Sequence, residues 1–168
     1  MISSGVELDL TTKPISNLTL QGSAVYNDAF YDGTFTVATI PARLTINDKT
    51  PLGGASKWTG AASVSYAVRL PGGDLGLLFY LNGRYVSSYR NGPPVAQNPL
   101  PASTTPGYGL LDGRTLANVN KDWSLELWGE KLLDLYVVTG VFNPPFETNV
   151  AGVVNDPRTY GVTVRAKF

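Results

Sequence analysis

Apolar and polar residues alternate along most of this chain with a period of two, which places successive side chains on opposite faces of a strand. Val6, Leu8 and Leu10 interleave with Glu7, Asp9 and Thr11. Leu18, Leu20, Gly22, Ala24 and Tyr26 alternate with Thr19, Gln21, Ser23 and Asn27. The cleanest run sets Trp58, Gly60, Ala62, Val64, Tyr66 and Val68 against Thr59, Ser63, Ser65 and Arg69. A fourth run, from about Asp74 to Tyr89, puts Leu75, Leu77, Phe79, Leu81 and Tyr85 on one face. A fifth, Tyr108 to about Asn118, carries Asp112 and Arg114 on one side, and a sixth sets Trp123, Leu125 and Leu127 against Ser124, Glu126 and Glu130. The seventh, about Leu135 to Phe142, is apolar on both faces. The eighth closes the chain, with Tyr160, Val162, Val164, Ala166 and Phe168 opposite Thr159, Thr163, Arg165 and Lys167.

The pattern predicts an all-β chain of about eight antiparallel strands in up-and-down order. Leu125–Val138 is not a helix, because Gly129 and the run Val137-Val138-Thr139 oppose one. Lys13-Pro14-Ile15-Ser16-Asn17 and Leu70-Pro71-Gly72-Gly73-Asp74 read as short connections. Three longer segments, 32–56, 91–106 and 143–157, are rich in Pro, Gly, Asn and Thr. With no repeat and no boundary, residues 1–168 read as a single β-barrel segment.

Alternation alone leaves two barrels open, since a soluble ligand-binding barrel buries its apolar face and a membrane barrel displays it. Three features favour lipid. The opposite face carries mostly Thr, Ser, Gln and Asn, which suits a wet lumen. Aromatic residues stand near strand ends on the apolar faces (Trp58, Tyr85, Trp123 and Tyr160), as interfacial girdles do. The last clean strand ends on Phe168. No apolar stretch approaches the ~18 residues of a spanning helix.

Composition narrows the chemistry. Thirteen Lys plus Arg balance thirteen Asp plus Glu, so the net charge is zero, and nucleic acid is not an expected partner. There is no His and no Cys, which removes imidazole bases, thiolate nucleophiles, the usual structural zinc sites and disulfides. No catalytic residue, metal or cofactor is expected, and the chain does not read as an enzyme. Charged residues are only 15%, against about a quarter in ordinary soluble domains. Glu126 and Glu130, like Glu7 and Asp9, read as solvated lumen charges. Met1-Ile2-Ser3-Ser4-Gly5 has neither basic region nor apolar core, so the chain reads as beginning within a fold.

The residues resemble the C-terminal part of the TonB-dependent receptors, transporters of the Gram-negative outer membrane. The likeness is carried by Gly5-Val6-Glu7-Leu8-Asp9-Leu10, Asn17-Leu18-Thr19-Leu20 and Ala24-Val25-Tyr26-Asn27-Asp28-Ala29. It continues through Lys57-Trp58-Thr59-Gly60, Val64-Ser65-Tyr66, Arg84-Tyr85, Pro106-Gly107-Tyr108 and Leu125-Glu126-Leu127-Trp128-Gly129, and ends on Arg158-Thr159-Tyr160-Gly161-Val162 through Phe168. One departure is Lys131-Leu132-Leu133-Asp134, where the family commonly has an Asn-Leu-x-Asp turn.

The resemblance implies the last eight strands of a barrel of about twenty-two, as an open arc or a small closed barrel, without the plug domain. It implies an outer-membrane location and an intact protein that imports an iron-siderophore or similar nutrient. The partners would be outer-membrane lipid, the barrel assembly machinery, the plug and TonB. Tyr160, Val162, Val164 and Phe168 resemble the C-terminal assembly signal. With Phe168 on the periplasmic side, segment 143–156 faces outward, and Phe146, Glu147 and Asn149 become ligand-facing candidates. The same parity puts 32–56 and 91–106 in the periplasm, at odds with the short turns usual there. The alternatives are a self-contained eight-stranded structural or adhesive outer-membrane barrel and a soluble ligand-binding β-barrel.

Overall fold

The computed structural model describes residues 1–38, 43–70, 75–91, 104–142 and 151–167, and these contain thirteen strands and no helix. In chain order they are β1 (Ile2–Ile15), β2 (Leu18–Phe30), β3 (Phe35–Ala38), β4 (Arg43–Ile46), β5 (Trp58–Arg69), β6 (Gly76–Val86), β7 (Tyr89–Arg90), β8 (Thr104–Thr105), β9 (Tyr108–Asn118), β10 (Trp123–Glu130), β11 (Val138–Phe142), β12 (Ala151–Val154) and β13 (Thr159–Ala166).

Seven of them form one antiparallel sheet in the order β1-β2-β5-β6-β9-β10-β13. The all-β, up-and-down expectation holds, and the sheet is open. The wall has seven strands rather than eight. The expected seventh strand, 135–142, does not join it: β11 pairs with β12 in a separate ribbon. Each long connection holds such a ribbon, β3–β4 in the first and β7–β8 in the second.

This difference of one strand brings the three long connections, which a count of eight would divide between the two ends, to the same end of the sheet. β2, β6 and β10 run in the same direction, so the connections that follow them, 31–57, 87–107 and 131–158, leave the sheet at one end. The backbone N–H of Gly54 donates to Arg90 O at 2.7 Å, and the Tyr89 hydroxyl donates to Thr139 O at 3.3 Å, which ties all three together. The chain leaves β1, β5 and β9 at the other end. After β9, Asn120 Oδ1 accepts the N–H groups of Asp122 and Trp123, both at 2.9 Å, so an Asn side chain closes the turn.

The register confirms the two faces. One row of directly opposed residues runs Leu18, Tyr66, Phe79, Thr115, Leu127 and Val162, all on the apolar face. The neighbouring row on the other face runs Thr19, Ser65, Tyr80, Arg114, Trp128 and Gly161. Among the described residues neither face of this sheet packs against a second layer. Among the described residues the buried apolar side chains are Ala29, Ile46 and Val137, and the one fully buried side chain is Thr105. The accessible surface is 11563 Å², against about 8,000 Å² for a compact soluble protein of 18.0 kDa.

Local packing explains two sequence choices. The Trp128 indole lies flat over Gly161, its direct partner on β13, and donates from Nε1 to Thr163 Oγ1 at 3.2 Å. A Cβ at Gly161 would collide with that ring. Tyr26 and Trp58, opposed on β2 and β5, pack with ring centroids 4.9 Å apart, a cross-strand pair of about 0.5–1 kcal/mol.

After β10 the chain reverses over 131–134, where Lys131 and Asp134 both adopt φ near 53°. Left-handed backbone at a non-glycine residue costs about 1–3 kcal/mol and persists where surroundings enforce it. Here the Lys131 ammonium bonds Asp156 at 2.8 Å, and Arg158 meets Asp134 at 3.4 Å, clamping the turn to the approach to β13. The hydrogen bond and the charge of Lys131 hold the Asp156 carboxyl below its ordinary pKa.

Two outcomes are expected. Gly161→Ala displaces the Trp128 indole and lowers the stability of the assembled wall by about 1–3 kcal/mol, read as a drop in the melting temperature of the full-length protein. For Asp156, a depressed folded pKa contributes stability above the unfolded carboxylate value and loses it as pH falls through the folded one. The difference in melting temperature between wild type and Asp156→Asn should therefore be constant near neutral pH. It should vanish as the solution is acidified below the carboxylate range.

Candidate functional site

On the polar face of the sheet, two ion pairs bridge β6 to β9 and β10 to β13. Arg84 on β6 pairs with Asp112 on β9 at 2.8 Å, and Glu126 on β10 pairs with Arg165 on β13 at 2.7 Å. The Arg114 guanidinium lies over the Tyr80 ring, 4.7 Å from its centroid. Between these groups is a hollow of about 370 Å³, lined by Tyr80, Asn82, Asp112, Arg114, Glu126 and Trp128 among others. Exposed pairs of this kind contribute roughly 0–1 kcal/mol each, so their value is in shaping and charging the surface.

Asp112 and Arg114, neighbours on one face, do not pair with each other. Asp112 instead divides its two oxygens, Oδ2 to Arg84 and Oδ1 to the backbone N–H of Lys131 at 2.9 Å. Sequence spacing could not have found Arg84, which is 28 residues away and reaches Asp112 only through the β6–β9 register. Glu126 and Glu130 share a face, but four strand residues separate them by about 13 Å, beyond the ~5–9.5 Å of a paired-carboxylate mechanism. Among the described residues no group of three or more Asp or Glu could hold a metal ion.

A second hollow of about 570 Å³ sits at the long-connection end, lined by Tyr85, Pro106, Tyr108, Leu135, Tyr136 and Val138 among others. Beside it is a buried knot that nothing in the residue pattern signals. Thr105 is 1% exposed. Its hydroxyl bonds Val138 O at 2.7 Å and the Asn91 side chain at 2.9 Å, joining β8 to β11 and to the end of β7.

The residues singled out from the sequence fall in three places. Trp58 and Tyr85 project from the apolar face at the long-connection end, and Trp123 projects at the short-turn end, each about half exposed. Tyr160, Val162 and Val164 line the apolar face of β13, which has β10 as its one partner in the sheet. Phe168, Phe146, Glu147 and Asn149 lie outside the described residues.

Comparison with known proteins places this geometry. A family model described as "TonB dependent receptor-like, beta-barrel" matches residues 1–132. No curated protein sequence matches the chain. The fold is similar to the ferric yersiniabactin uptake receptor FyuA of Yersinia pestis, with a TM-score of 0.74 and 14% identity, over 99% of this chain and 23% of that one. It is also similar to the siderophore receptor PiuA of Acinetobacter baumannii, with a TM-score of 0.72 and 17% identity, over 96% of this chain and 21% of that one. The chain thus spans less than a quarter of the length of either receptor. The family consists of transporters and receptors of the Gram-negative outer membrane, whose intact members work with a plug domain and TonB. With the greater part of its length matched and the sheet superposing on receptor walls, the chain belongs to the TonB-dependent-receptor-like β-barrel family.

Proposed function

We propose that this chain forms the C-terminal part of the wall of an outer-membrane importer that takes up an iron-siderophore or similar nutrient with energy relayed through TonB. The observation that carries the reading is a single-layer sheet, apolar on one face and polar on the other, whose edge strands β1 and β13 each have one partner among the described residues. In hydrocarbon each unpaired backbone group costs several kcal/mol, so both edges require further strands. β1 and β13 also run in the same direction, and joining them directly would need a parallel seam in a barrel class that is built antiparallel. This weighs against a self-contained small barrel.

The long connections 31–57, 87–107 and 131–158 are then extracellular and the three short turns periplasmic, the usual asymmetry of these barrels. Trp58 and Tyr85 sit at the outer lipid interface and Trp123 at the inner one. Tyr160, Val162, Val164 and Phe168 offer the assembly machinery an edge strand with alternate apolar side chains. Phe146, Glu147 and Asn149 belong to the outer connection that meets the ligand. Outer-membrane lipid, the assembly machinery, the plug and TonB are the partners.

The chain has no cysteine, so introduced ones report cleanly on its topology. In cells making the full-length protein, cysteines replacing Asp48, Ser88 or Tyr136 should react with a membrane-impermeant maleimide. Those replacing Asn17 or Asn120 should react only after the outer membrane is permeabilised. Removal of 143–150 should lower ferric-siderophore uptake by about tenfold or more while leaving the amount of barrel unchanged. Removal of Phe168 should lower the amount of assembled barrel. Labelling of Asn17 in intact cells, or uptake indifferent to TonB, would overturn the proposal.

A further inference from the structure

We infer that Asp112 is a positioning residue that couples the lumen side of the wall to the outer connection 131–158, an inference that rests on the wall reading above. β9 outruns β10 at the long-connection end: their pairing stops at Gly113–Gly129, leaving Tyr108–Asp112 without a β10 partner. The turn after β10 fills the start of this gap. The backbone N–H of Leu132 donates to Leu111 O at 2.8 Å, and that of Lys131 donates to Asp112 Oδ1 at 2.9 Å. Leu132 also packs over Gly129, where a Cβ would come within 2.7 Å of its Cδ2.

A continuous polar chain follows. Arg84 on β6 holds Asp112 on β9, Asp112 holds the Lys131 backbone, and the Lys131 ammonium holds Asp156 ahead of β13. The first link faces the lumen and the last lies within the outer connection. The exposures give the chain a direction. The Arg84 side chain is 51% exposed and that of Asp112 is 22%, so a group in the lumen meets the guanidinium first and the carboxylate through it. Asp112 has one side chain to serve two demands. Its Oδ1 keeps its place on the Lys131 N–H while Oδ2 is pinned by Arg84, and freeing Arg84 releases the carboxylate to rotate about Cβ. The turn that then loses one of its supports is the one with two left-handed non-glycine residues, whose backbone depends on such contacts.

Hydrogen exchange of the full-length protein in lipid vesicles tests the coupling. Arg84→Gln and Asp112→Ala should each speed exchange across 131–138 and 151–158 by about fivefold or more. Asp112→Asn, which keeps an acceptor for the Lys131 N–H, should fall between them and wild type, and Arg84→Lys should return exchange to within about twofold of wild type. Arg165→Gln breaks the other ion pair of the same wall and should leave both segments unchanged. Exchange unaltered by both Arg84→Gln and Asp112→Ala overturns the inference, as does an equal rise with Arg165→Gln, which would mean general loosening. Failure of the wall reading shows separately, in the single-cysteine variants with Arg84 and Asp112 intact, as labelling that does not divide between the two sides.

Discussion

The main-chain hydrogen-bond ladder is the interaction on which everything else in this chain depends. A globular domain can lose part of a sheet and keep its core, but the described residues offer no core between layers. The seven-stranded sheet is a single layer, and the few buried side chains sit near the long connections, not between sheet faces. Stability comes from strand pairing and from whatever covers the two faces. Hydrocarbon suits the apolar face and makes each ladder bond obligatory, because no water is present to replace one. The sequence economises elsewhere: small residues such as Gly22, Gly60, Ala62 and Gly83 recur on the apolar face because that face does not need to interdigitate with a partner layer.

The faces were legible in the residues because a period of two is a local property. Trp58 through Val68 can be assigned to one side with no knowledge of their neighbours, and the register agrees. Membership of the wall is not local. The stretch Leu135–Phe142 has β-branched residues and an apolar character that suit a strand, and it does contain one. What keeps β11 out of the wall is its partner: β12 pairs with it, and β13 takes the place beside β10. With that run outside the wall, the connections 31–57, 87–107 and 131–158 leave the same end of the sheet. Strand parity is a global property, and the run that decides it here is the one without clean alternation.

The charged site was less legible for a related reason. Asp112 and Arg114 are adjacent on a face and invite pairing in sequence, yet the carboxylate turns to Arg84 across the ladder and to a backbone N–H after β10. Trp128 and Gly161 illustrate the same limit. Neither residue explains the other until the β10–β13 register sets them opposite, and the absent side chain becomes the seat of the indole. Departure from the family's turn pattern at Lys131-Leu132-Leu133-Asp134 was visible in advance, but not its replacement by a clamp to Asp156 and Arg158.

The hydrogen bonds among the long connections have a mechanical consequence. Gly54 is bonded to Arg90 and Tyr89 to Thr139, so the three segments that follow β2, β6 and β10 are linked in series. A displacement of any one of them is passed to the other two. The turn at 119–122, by contrast, is closed by its own Asn120 and answers to nothing beyond itself. One end of the sheet therefore moves as a unit, while this turn at the other end moves alone.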